Sequence, residues 1–177
     1  MYIMNILDVW KNKILFGYYV HPLFVGAGWE DAGFSVRLFP NGTVIYQTYS
    51  LSEKFEPTIK CSGRATVSEN TINQIKRILA GYAKDISALP EFTDNGSCDG
   101  SFYDFVFGGK LVSTLNIRRT DLTKEMLSDP GYYERYRFAM ADENTVLDIF
   151  TRITDAMKQD GVELYLYHLT VDGEKIK

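Results

Sequence analysis

Cysteine is scarce, with two residues in 177, Cys61 and Cys98. That excludes a disulfide-built scaffold and favours two free thiols in a reducing compartment. The pair stands 98 − 61 = 37 positions apart, with no CxxC or HxxxH spacing, so no metal site is expected. Basic excess is missing too. Lys and Arg number 19 against 23 Asp and Glu, a net charge of −4. That is too mild for an acidic nucleic-acid mimic and of the wrong sign for grasping a phosphate backbone. No run approaches the roughly 20 apolar residues of a membrane span. The opening MYIMNILDVWKNK has its lysines after a short, interrupted apolar stretch. A secretory signal has the reverse order, so the expectation is a cytoplasmic protein with no membrane association. On that expectation Asn41-Gly42-Thr43 and Asn95-Gly96-Ser97 read as turns and not as glycosylation sites.

Motifs that carry chemistry are also lacking. There is no GxSxG, P-loop or HExxH. Gly26-Ala27-Gly28 follows a strand, but a dinucleotide fingerprint needs glycine where Asp31 stands, and a strand follows instead of a helix. The loop around it presents Trp29, a candidate for partner binding. The stretch Asp94–Gly100 resembles a calcium loop only in part: Gly96, Asp99 and Phe105 occupy the third, sixth and twelfth places, where acid, glycine and glutamate belong. Cys98 with His21 or His168 would be the only nucleophile and base of that kind, and no spacing pairs them. Arg118-Arg119 and Lys11/Lys13 are the close basic pairs, read as solvated strand ends because no RNP motif accompanies them. No cofactor is implied.

What is present is apolar and aromatic. Hydrophobic residues make up 45% and aromatics 14%, against 24% charged, which is the composition of a packed core and not of a disordered chain. The length suits one domain over 1–177. Residues 13–20 read as a strand. Residues 34–39 and 43–49 form a hairpin across Pro40-Asn41-Gly42, and 58–67 are a further strand. Ser68 caps a helix whose Ile72, Ile75, Leu79, Tyr82 and Ile86 recur at steps of three and four, closed by Pro90. Residues 102–107 and 111–118 flank Gly108-Gly109 as a second hairpin. Asp142 reads as the next N-cap, before the stripe Val146, Ile149, Phe150, Ile153 and Met157, with Gly161 as its stop. Residues 162–171 are a last strand, 119–141 an irregular insertion that offers a short helix over Asp121–Leu127 and a turn at Asp129-Pro130-Gly131, and 172–177 a frayed tail. The fold class expected is α+β: a mainly antiparallel, meandering sheet with two amphipathic helices packed on one face.

Several strands are apolar on both sides, where a sheet covered on one face would alternate. Either irregular segments such as 1–12 or 119–141 cover the second face, or part of it meets a partner. Burial of Tyr46, Tyr165 and Tyr167 would remove the second reading. The densest unusual segment is Tyr132-Tyr133-Glu134-Arg135-Tyr136-Arg137-Phe138. Tyr and Arg are enriched in binding hot spots. The segment either wraps the sheet and buries its rings, or docks a partner through Tyr132, Tyr133, Tyr136, Arg135 and Arg137.

FSVRLFPNGTVIYQTY, a serine-capped helix, FYDFVFGGKLVSTLNI and a closing helix follow one another over roughly residues 33–155. That order resembles the emfourin-type domains, small bacterial domains with a meandering sheet and helices. The resemblance implies a docking protein, since some of those domains inhibit a protease by binding it. No inhibitory residue carries over. The function expected is therefore a non-enzymatic binding protein, an inhibitor, immunity-type or anti-defence protein that occludes a protein partner. Two alternatives stand beside it. One is a self-associating structural protein, with homo-oligomers formed through the aromatic face. The other is a small hydrolase using acids of the 94–104 loop.

Overall fold

In the computed structural model, which describes residues 7–22, 32–53, 57–97 and 100–176, hairpins set the architecture. Strands β1 (Phe16–Pro22), β2 (Phe34–Leu38), β3 (Thr43–Leu51) and β4 (Pro57–Thr66) meander antiparallel. The β2–β3 turn is made by its own chemistry. Asn41 Oδ1 accepts from the Thr43 N–H at 3.1 Å, and Gly42 takes a φ of +85°, which a side chain would resist. Helices α1 (Glu69–Gly81) and α2 (Ala83–Ala88) follow, then β5 (Phe92–Thr93), β6 (Ser101–Phe107) and β7 (Lys110–Leu115). The sheet order is β4-β3-β2-β1-β6-β7-β5, and only β5 runs parallel to its neighbour. Helices α3 (Leu122–Ser128) and α4 (Pro130–Lys158) precede a small antiparallel sheet of β8 (Val162–Leu164), β9 (Leu169–Val171) and β10 (Glu174–Ile176).

Strand alternation divides the core. Phe16, Tyr18, Val36, Leu38, Val44, Phe105 and Phe107 point to one face, where Ile72 and Ile75 of α1 and Ile149, Phe150 and Ile153 of α4 bury against them. Tyr18 sits 5.3 Å from Phe105 and 5.1 Å from Phe150, ring to ring, at tilted angles that suit aromatic quadrupoles. Both helical stripes thus share one face, as expected. The second face buries Tyr19, Tyr49 and Val106 beneath Leu7 and Ile14. The segment leading into β1 therefore covers it in part, while residues 119–141 add nothing to that cluster. Arg37 is also buried on that side. It bonds Gln47 and lies over the Trp10 ring, and burial lowers its pKa.

Five expectations are corrected. Residues 119–141 are not an irregular insertion: they hold α3, close to the short helix offered at Asp121–Leu127, and the first part of α4. Asp142 is no N-cap but lies mid-helix, because α4 starts at Pro130, capped by Asp129 Oδ1 accepting from the Tyr132 N–H at 3.1 Å. The helix after Ser68 breaks at Tyr82 into α1 and α2, so the described residues hold four helices where two amphipathic ones were expected. Residues 162–171 are two strands joined by a turn at 165–168, and the tail beyond 172 is not frayed, since β10 pairs with β9. No helix among the described residues is long and apolar enough to cross a membrane.

Candidate functional site

The Tyr/Arg segment forms the first turns of α4, and a helix sends its residues to different sides. Tyr132 and Tyr136 are i, i+4 neighbours with rings 4.7 Å apart. Both face the chain's own 95–96 loop. The Tyr132 hydroxyl donates to the Asn95 carbonyl at 2.6 Å, and the Tyr136 ring leaves no room for a side chain at position 96. The Arg118 guanidinium lies 6.0 Å from the Tyr132 ring. These two tyrosines are therefore turned inward. Tyr133 is half-buried, and Arg135 is exposed. Arg137 pairs with Glu134 at 2.8 Å and lies 5.0 Å over the Phe138 ring. Trp29 falls outside the described residues, as do Cys98 and Asp99 of the proposed acid and thiol sites.

A polar clasp holds α4 to the sheet just beyond this segment. Glu143 is 1% exposed. Its Oε1 accepts from Asn95 Nδ2 at 2.6 Å and from Thr114 Oγ1 at 2.7 Å. Burial raises its pKa, with the bonds from Thr114, Asn95 and the Arg118 backbone opposing. Next to it, Asn144 exchanges two hydrogen bonds with the Thr120 backbone, at 2.9 and 2.7 Å. A buried carboxylate this well satisfied positions a helix.

Among the residues that α3 and α4 leave outward are three large apolar ones. Helix α3 buries none of its residues. Leu127 is 75% exposed, Met126 43% and Phe138 of α4 72%. Asp129 alone separates the two helices; Met126 and Leu127 stand just before that corner and Phe138 about two turns beyond it. The sequence pattern missed Met126 and Leu127. The signal was there, in two adjacent apolar residues on a helix too short to bury both.

The second exposed aromatic group is the β8–β9 turn. Its Tyr165 N–H donates to the His168 carbonyl at 2.9 Å, and the Tyr165 and His168 rings stack at 4.3 Å. Tyr165 and Tyr167 stand out at 40% and 71% exposure, whereas Tyr46 is half-buried against Gly63 and the main core. The Tyr18 hydroxyl anchors the turn by donating to the Leu166 carbonyl at 2.6 Å.

The two described carboxylates of the 94–104 stretch make local contacts. Asp94 accepts from the Gly96 N–H at 3.0 Å, and Asp104 is buried, accepts from Ser113 Oγ and faces His21 Nε2 at 3.9 Å. Among the described residues no group of three His, Cys, Asp or Glu is placed to hold a metal ion. The basic pairs are engaged with their surroundings: Arg119 bridges Asp148 at 2.7 Å and Lys11 bridges Asp8 at 2.8 Å. Compared with known proteins, the chain matches no family model and no curated protein.

Proposed function

We propose that this protein acts by docking on a protein partner and occluding it, without chemistry of its own, in the manner of an inhibitor, immunity-type or anti-defence protein. The observation that carries the reading is the apolar exposure along α3 and α4, with Met126, Leu127 and Phe138 standing exposed and no residue of α3 fully buried. A helix pays for its order by burying an apolar side. A helix with no fully buried residue in the free protein has apolar side chains to offer to another surface. Arg135 and Arg137 stand on the same helix as Phe138 and give an interface its polar rim and register. Tyr132 and Tyr136 act indirectly here, by bracing the start of α4 on the 95–96 loop.

The test is affinity capture from lysates of the source organism and of its likely targets, with wild type beside Leu127→Asp/Phe138→Asp. The expected result is one stoichiometric partner that the variant loses. A partner held equally by both proteins would overturn the site, and recovery of the protein alone would favour self-association. The outward pair is the better choice over a Tyr132/Tyr133/Tyr136 triple alanine, which would also strip the packing around Asn95 and Gly96.

A further inference from the structure

A pocket of about 380 Å³ opens where α4 meets the small sheet. That volume falls toward the lower end of the roughly 300–1,000 Å³ of small-ligand sites. Leu147 and Phe150 of α4 and Leu164 of β8, all buried, give it an apolar floor. The rings of Tyr165 and Tyr167 line it from the β8–β9 turn. Both rings are braced. Tyr165 stacks on the His168 ring, and Tyr167 stands edge-on to the buried Tyr103 at 6.1 Å between centroids. Charged side chains join this lining: Asp155 and Lys158 from α4, and Glu163 from β8.

These charges are not equivalent. Glu163 is committed. Its Oε2 accepts from the Tyr165 hydroxyl at 2.7 Å and pairs with Lys158 Nζ at 3.4 Å, and those contacts hold its carboxyl below the usual range. Lys158 is committed to the same oxygen. Asp155 is the contrast: among the described residues no hydrogen bond or ion pair engages its carboxylate. The pocket thus sets an uncommitted carboxylate beside tyrosine rings, whose faces carry the negative part of the quadrupole and attract cations. We propose that the pocket binds a small organic cation, an ammonium group on an apolar body. The ammonium meets Asp155 and the tyrosine rings, and the body rests on Leu147, Phe150 and Leu164. The carboxylate offers the ammonium a charge-assisted bond, while the floor takes the body out of water. This site is separate from the exposed residues of α3 and Phe138, and its fate in experiment is independent of that surface.

The test is an amide-resolved NMR titration of the full chain with phenethylammonium. Phenethyl alcohol serves as the same body without charge, phenylacetate as a body of opposite charge, and methylammonium as the charge without a body. The expected result is saturable shifts at Thr154, Asp155, Leu164 and Tyr165 with phenethylammonium. Phenethyl alcohol should bind about fivefold more weakly, and phenylacetate and methylammonium about tenfold more weakly or less. Asp155→Asn, a change on the exposed side of α4, should weaken phenethylammonium about fivefold and leave phenethyl alcohol unchanged. Raising the salt on wild type should weaken phenethylammonium and spare the alcohol, which keeps the test decisive without the variant. Phenylacetate or methylammonium binding as tightly as phenethylammonium would overturn the proposal. So would shifts centred elsewhere, no saturation by about 10 mM, an Asp155→Asn affinity equal to wild type, or an affinity indifferent to salt.

Discussion

Single side chains decide how α4 is seated. Glu143 is the most consequential, because burial raises its pKa while its bonds hold the carboxylate in place. An acid whose folded pKa is raised binds its proton more tightly when folded, so its contribution is full below the unfolded value, about 4.3, and is lost as pH rises through the folded value. The stability advantage of wild type over Glu143→Gln should therefore shrink as pH rises from about 4 through that window. Urea midpoints measured across it check this, and a difference that is flat or grows with pH would contradict it. The variant should also carry a loss of about 1–3 kcal/mol that pH does not touch, since its amide presents a donor to the Arg118 N–H. Position 96 is the second such site. Gly96 has a φ of +78°, and a Cβ there would come within 2.4 Å of the Tyr136 ring. Gly96→Ala should cost about 1–2 kcal/mol in urea unfolding, most of it from the backbone conformation. An unchanged midpoint would show that the loop carries no strain of that kind.

Among the elements, α4 is where the structure and the sequence pattern part. It runs 29 residues, about 43 Å. Its second half has a plain apolar stripe because it lies on the sheet. Its first half has none, because Tyr132 and Tyr136 rest on a polar loop and the clasp of Glu143 and Asn144 replaces apolar contact. The stripe made Asp142 look like a beginning. Asp129-Pro130 is a sound helix start, but Gly131 directly after it reads equally as a turn. The β8–β9 turn was illegible for another reason. Tyr165-Leu166-Tyr167-His168 contains no Gly, Pro, Asn or Asp, and what bends it is the tether from Tyr18, 148 residues away in sequence. The hairpins at Asn41-Gly42 and Gly108-Gly109 were legible because there the turn chemistry is local: both glycines of the second take positive φ, 55° and 97°. Of the Tyr/Arg segment, composition singled out 132–138 but could not tell inward tyrosines from an outward phenylalanine, since that depends on which side faces the 95–96 loop. Asp129→Ala should fray the first turn of α4 and cost about 1 kcal/mol. Amide exchange at Tyr132 and Tyr133 should quicken while the second half of the helix stays protected. Equal quickening along the whole helix would contradict a local cap.

At the scale of the whole molecule, the described chain has a covered sheet and uncovered tips. The helix face of the large sheet is sealed by α1 and α4, and the second face is closed in part by the segment before β1. The long edge strand β4 is exposed, but Lys60, Arg64 and a register shift opposite Thr48/Tyr49 make it a poor template for adding another strand. The exposed apolar side chains lie at the periphery: Met126, Leu127 and Phe138 at the α3–α4 corner, and Tyr167 in the β8–β9 turn. One measurement tests most directly whether Met126, Leu127 and Phe138 serve a partner, as proposed, or the fold. It is the unfolding free energy of Leu127→Asp/Phe138→Asp against wild type in urea. Side chains held for a partner should leave it within about 0.5 kcal/mol, as surface substitutions do. A loss of about 2 kcal/mol or more would place both residues in packing that holds the molecule together and would remove the docking surface from the account.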